Sequence, residues 1–355
     1  MKKLILIILI FITFIPNTLA LNINSESLVA QDIKSGRIFY EKNADDKRLI
    51  ASTTKVMTAI LAIESNKLED IVLVGEEVLK MYGSNIYIEL NEHMILLDLV
   101  YGLLMRSGND AAVVIANYVG GSEENFVKMM NDKAKELDMT NTTFSNPHGL
   151  DDDTKNYSTA KDLATIYAYA YQNETFRKII KTKKYQVTTD YKTYSWSNKT
   201  KIVSTYDKST GGKTGYTPDA GRVLVSSASN NDLDLVIASF NHGNYDYDLH
   251  ENIFEDIFYN YQNYQILDKN NFIIKNNKYE NLYIKEDFIY PLTDKEQEKI
   301  TKKINYYEEE TKDNKVGEIY IYLEDEIIFK TEIYNQKDNL TIIQKIKNWF
   351  KNLLK

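Results

Sequence analysis

Cysteine is absent from this 355-residue chain, which excludes disulfides, a thiol nucleophile and a lipid-modified cysteine. A chain of this length can bury enough apolar surface to fold without such staples. Histidine is scarce, at four, and neither His148 nor His242 has zinc-ligand spacing. His148, beside Pro147, reads as a loop residue. No metal and no cofactor is therefore expected. Counting alone leaves a Ser-His-Asp triad open. Basic charge is also lacking: the formal net charge is −8, which argues against a nucleic-acid partner.

What is present begins with unusual ends. Lys2 and Lys3 precede an apolar run from Leu4 to Ile15, interrupted only by Thr13. Pro16-Asn17 and the small residues up to Ala20 follow, so residues 1–20 read as a cleaved signal peptide. The run is shorter than the roughly 20 residues a membrane span needs. At the other end, Leu340, Ile342, Ile343, Ile346, Trp349, Phe350, Leu353 and Leu354 fall on one helical face. Lys345, Lys347, Lys351 and Lys355 lie off it. Residues 339–355 are thus expected to be an amphipathic helix anchoring the protein to an anionic membrane surface.

Between the ends, Ser27–Ile33 and Arg37–Tyr40 read as strands joined at Lys34-Ser35-Gly36. A helix is predicted from near Ser52, with Val56, Met57, Ile60, Leu61 and Ile63 buried. Two helical stretches run from Ile95 to Val119, broken at Ser107-Gly108-Asn109. Helices are also predicted over Glu123–Asp138 and Thr159–Gln172, separated by a polar loop. Gly212–Thr217, Arg222–Ser229 and Leu233–Phe240 read as neighbouring strands, and Leu249–Tyr261 as helix. Short strands follow, at Phe272–Ile274, Leu282–Ile284 and Ile319–Leu323. The expected fold is an α/β domain over residues 21–262, then a β-rich domain over 263–338.

Three strings occur in order: Ser52-Thr53-Thr54-Lys55, Ser107-Gly108-Asn109 and Lys213-Thr214-Gly215. A serine at a helix start lies near unpaired backbone N–H groups that can receive negative charge. A lysine three residues on shares its face and can take the hydroxyl proton, provided it is neutral. Burial beside a second cation, such as Lys213, would make it so. Ser158-Thr159-Ala160-Lys161 has the same spacing, but Thr159 and Asp162 there form an ordinary helix cap. The break at residues 107–109 can turn Ser107 toward proton relay and Asn109 toward a substrate amide, or simply cap a helix. Lys213 and Thr214 can hold a carboxylate, and Gly215 lets a substrate backbone approach. A phosphate loop is excluded, because Asp207 stands where its first glycine belongs.

With these motifs the chain resembles the low-molecular-mass penicillin-binding proteins, specifically the D-alanyl-D-alanine carboxypeptidases. The resemblance includes the sequence around Ser52, Arg106–Ala111, Asn146-Pro147-His148-Gly149-Leu150, Thr159–Ala164 and Gly212–Thr217. It implies the penicillin-binding-type fold: an antiparallel sheet flanked by helices, a helical subdomain, a small all-β domain and the terminal helix. It also implies a location on the outer face of the cytoplasmic membrane. The substrate would be a peptidoglycan stem peptide ending in D-Ala-D-Ala, with β-lactams as its mimics. Ser52 would be the nucleophile, Lys55 its base and Ser107 a proton relay. The N–H groups of Ser52 and Tyr216 would form the oxyanion hole, while Lys213 and Thr214 bind the terminal carboxylate. Some relatives add an arginine beyond the following strand. Here no lysine or arginine occurs from Val223 to Asp268, which leaves Lys213 as the main cation, with Arg222 nearby. The rival readings are a serine β-lactamase, for which Asp151, Asp152 and Asp153 would have to supply the deacylating carboxylate, and a silent wall or membrane scaffold.

Overall fold

The structure is a computed structural model that describes residues 23–243, 246–274, 278–279 and 281–336. The expected signal peptide and terminal helix lie outside the described residues. Strands β1 (Ser27–Asp32) and β2 (Ile38–Lys42) form a hairpin whose turn is tied by Asp32, which accepts from the Ser35 N–H and hydroxyl. They join one antiparallel sheet in the order Ile38–Lys42, Ser27–Asp32, Leu233–Phe240, Gly221–Asn230, Ser209–Thr217. Three of its four pairings join chain neighbours, which short turns can only return antiparallel, and the fourth joins Ser27–Asp32 to the distant Leu233–Phe240.

The sheet has apolar residues on both faces. Val29, Val223, Val225, Val236 and Ala238 face a helical layer. Leu28, Ala30, Leu235 and Ile237 face the helix Asp246–Asn260 on the other side. The helical layer contains α1 (Lys55–Glu64), α2 (Leu96–Arg106), α3 (Asn109–Gly120), α4 (Glu123–Glu136), α5 (Ala160–Tyr171) and α6 (Glu174–Lys181). Every residue of α1 from Lys55 to Ile63 is buried, beyond the single apolar face expected. A helix apolar all round belongs at the centre of its domain.

Beyond Tyr261, Gln262–Leu267 pairs with Phe288–Leu292. A four-stranded sheet runs in the order Leu282–Tyr283, Glu326–Asn335, Lys315–Leu323, Ile300–Tyr306. Its own core includes Leu292, Val316, Ile321 and Ile333. Phe272–Ile274, expected as a strand, has no regular structure. Phe272 and Ile274 lean on the core, but the segment finds no ladder partner, and a three-residue apolar run is a strand only if one exists.

Candidate active site

The short 3-10 turn Ala51–Thr54 delivers Ser52 to the start of α1. Two glycines from distant segments hold this turn. Gly149, at φ +86°, lies so close that a β-carbon there would sit 2.0 Å from the Ala51 carbonyl oxygen. A β-carbon on Gly215 would lie 3.1 Å from the Ser52 nitrogen. Gly215 therefore makes room for the Ser52 turn and also lines the cleft, where the sequence expected a substrate backbone to approach. Ala51 adopts φ +44°, a costly conformation for a residue with a β-carbon, directly before Ser52.

Lys55, fully buried, places Nζ 3.0 Å from Ser52 Oγ. Its other partners are Asn109 Oδ1, at 2.7 Å, and the His148 carbonyl. Both are acceptors only, and among the described residues no carboxylate forms an ion pair with it. A neutral amine has two N–H donors for these acceptors and one lone pair left for the Ser52 hydroxyl. Burial, reinforced by the Lys213 charge, pushes the Lys55 ammonium well below the usual lysine range, against a smaller opposing pull from Asp110.

Ser107 ends α2 in the left-handed region, at φ +64°, and receives a 3.0 Å hydrogen bond from Lys213 Nζ. Asn109 begins α3. With Oδ1 on Lys55 and Nδ2 donating to the Tyr82 carbonyl at 2.7 Å, both ends of its amide are occupied. It therefore positions Lys55 in this arrangement, in place of the free amide clamp expected of it. The adjacent Asp110 accepts from the N–H groups of Ile86 and Tyr87, pinning the segment above the cleft.

Lys213 pairs across the sheet with Val225 and is as buried as Lys55. Its Nζ also donates to the Thr214 carbonyl at 2.6 Å, and burial lowers its pKa to about 7. The cleft, about 600 Å³, is lined by Ser52, Ser84, Ser107, Lys199, Lys201, Thr214, Gly215, Tyr216, Arg222, Val223 and Tyr247. The cations on its surface are thus Lys199, Lys201 and Arg222, with no carboxylate among the lining residues. Arg222 is held by a two-pronged pair with the buried Asp246, at 2.8 and 2.7 Å. Among the described residues, Lys199 Nζ reaches only the Ser84 hydroxyl, at 3.2 Å. Sequence reasoning left Arg222's direction open and missed Lys199 and Lys201, which belong to no motif.

The Asn146–Leu150 loop contributes through its backbone. Asn146 Oδ1 accepts from the Gly149 N–H at 2.6 Å, and Thr58 donates to the Pro147 carbonyl. The His148 ring accepts from the Leu150 N–H and is driven by burial to a pKa of about 3. The ring is thus a loop residue, while its carbonyl is part of the site. Ser158 is buried against Thr142, whereas Lys161 is exposed, so the second Ser-x-x-Lys string makes no paired site. Asp151 accepts from Thr217 and Asp152 from the Tyr82 hydroxyl, so both are already engaged.

An antiparallel sheet with a helical layer and a serine-lysine centre at one end define a penicillin-binding-type fold with an active-site serine. Residues 15–244 match the Peptidase_S11 family, described as D-alanyl-D-alanine carboxypeptidase, and residues 261–339 match the C-terminal domain of penicillin-binding protein 5. The chain belongs to the D-alanyl-D-alanine carboxypeptidase family. Among curated proteins it is similar to D-alanyl-D-alanine carboxypeptidase DacF of Bacillus subtilis, with 34% identity over 68% of this chain and 66% of that protein. It is also 33% identical to DacC of Escherichia coli, over 61% of this chain and 56% of that one. The match thus spans less than two thirds of these relatives' own length. Among solved structures, penicillin-binding protein 5 of Haemophilus influenzae superposes with a TM-score of 0.76 at 25% identity, covering 89% of this chain and 97% of that one. Penicillin-binding protein 6B of Escherichia coli gives 0.71 at 26% identity, covering 87% and 94%.

Proposed function

We propose that this protein is a serine D-alanyl-D-alanine carboxypeptidase that removes the terminal D-alanine from peptidoglycan stem peptides. The observation that carries the reading is the neutral-amine environment of Lys55 beside Ser52. Lys55 takes the Ser52 proton as Oγ attacks the carbonyl between the two D-alanines. The N–H groups of Ser52 and Tyr216 face the developing oxyanion. The C–N bond breaks as the proton passes by way of Ser107 to the departing amine. Water then attacks the ester, freeing the shortened peptide and restoring the Ser52 hydroxyl. A β-lactam follows the first half of this course and leaves Ser52 acylated.

The substrate's terminal carboxylate lies among Thr214, Lys199 and Arg222. Two features support this: these cations face the cleft, and Lys213 is withdrawn into its wall. We also place the protein on the outer face of the cytoplasmic membrane, held by residues 339–355. Deletion of those residues should abolish sedimentation with vesicles containing anionic lipid, while sedimentation unchanged by the deletion would refute the anchor.

Intact-mass measurement after incubation with benzylpenicillin tests the enzymatic reading. One long-lived adduct is expected on the wild type and on Ser158→Ala, and none on Ser52→Ala. Rapid turnover without a lasting adduct would point to a β-lactamase. Folded protein that never acylates and releases no D-alanine would point to a scaffold.

A further inference from the structure

We propose that a groove at the far end of the sheet from Ser52 is a binding site for a neutral glycan. The groove, about 560 Å³, lies where the turn between Gly221–Asn230 and Leu233–Phe240 meets the end of the helix Asp246–Asn260 and the start of the β-rich domain. Arg222 lines the catalytic cleft, and Asn230 on the same strand lines this groove. Eight residues of extended chain separate them by about 27 Å, so the two sites are distinct.

The lining is made mostly of groups that read hydroxyls and amides. Asn230 and Asn231 carry side chains that make no hydrogen bond to another described residue, and Asn263 spends only its N–H on the Asp232 carbonyl, leaving its oxygen available. Asn231 and Asp232 both have positive φ, 48° and 64°, so the two-residue turn that presents them is of the stiff type favoured in hairpins. Beside them Tyr259 is 89% exposed, with a ring free to stack on a sugar face. No lysine or arginine lines the groove, and Asp232 and Asp294 do, which disfavours phosphate or carboxylate ligands. Unpaired amides plus one exposed ring suit an uncharged polyhydroxylated chain, since each amide offers a donor and an acceptor at once. That the natural glycan is the sugar backbone bearing the stem peptides rests on the function proposed above. The groove's chemistry does not.

The test is titration of the full chain with chitotetraose, a tetramer of N-acetylglucosamine, followed by NMR or calorimetry. Saturable binding is expected. Tyr259→Ala should weaken it about three- to tenfold, the scale of one lost aromatic contact. Asn231→Gly, which keeps the turn while removing the amide, should weaken it similarly. Penicillin acylation of Ser52 should not change in either variant. Acylation failing while chitotetraose still binds would count against the enzymatic reading alone. No binding, binding indifferent to both substitutions, or binding of tetralysine in its place would overturn the proposal.

Discussion

The proposed role of Lys55 as a base requires it to be uncharged, and its contacts, all to neutral groups, suit that state. Lys55→Arg restores a permanent cation, because guanidinium does not lose its proton in proteins. Penicillin acylation should fall by about 10²- to 10⁴-fold, the usual worth of a positioned base, and should not be rescued by raising the pH. In the wild type, acylation should rise with pH as Lys55 loses its proton, with a midpoint well under the ordinary lysine value. Lys213 has a consequence for stability. Its pKa is about 7 in the folded chain against 10.5 when exposed, so between these values the unfolded chain binds more protons and folded stability rises with pH. Lys213→Met should therefore be more stable than wild type at pH 7. The gap should close toward pH 10, by up to about 1.4 kcal/mol per pH unit, as measured by denaturant unfolding. Ser52 and Lys55 were legible as a pair from spacing, because a side chain three residues away along a helix has a fixed direction. Ser107 and Lys213, on separate elements, were legible only through the resemblance of the three motifs to a known family. The His148 carbonyl was not, since a main-chain oxygen leaves no mark in residue type. Nor was Lys199, whose place follows from the packing of distant segments.

Elements place these groups by close approach. Gly149 and Gly215 press from two sides on the turn that carries Ser52; at Gly149 there is no room for a methyl group, while at Gly215 one would fit only if its neighbours gave by a few tenths of an ångström. Gly149→Ala combines a positive φ with a clash against backbone, so a loss of about 3 kcal/mol or more in unfolding free energy is expected. Gly215→Ala meets its neighbours at 3.0–3.1 Å. It should leave the fold intact and slow acylation, measured by stopped-flow, by shifting the Ser52 nitrogen. The break between α2 and α3 was legible because an apolar pattern stops at Ser107-Gly108-Asn109. The hairpin Lys184–Thr188 with Thr193–Ser197 was missed, although Tyr194 and Trp196 on it are buried. Its alternation, Tyr185 and Val187 in one strand and Tyr194 and Trp196 in the other between polar residues, is present in the sequence but was passed over.

At the scale of the whole molecule, Arg37 ties the sheet to the β-rich domain. Its guanidinium bonds the Pro291 carbonyl and Glu296, and lies against the rings of Phe39, Tyr261 and Tyr290. Arg37→Ala should lower stability by about 2 kcal/mol and speed proteolysis of residues 262–336, without changing penicillin acylation. The two-part organisation was readable from the change of pattern near Tyr261, but this tie was not, since it joins residues more than 250 positions apart. The proposed chemistry turns on the amine at the buried start of α1. NMR titration of the Lys55 side chain, assigned by comparison with Lys55→Met, tests that amine directly. A midpoint well below 10.5, with the amine neutral at the pH where Ser52 acylates, is the predicted result. A lysine that remains an ammonium up to 10.5 or beyond would contradict the account.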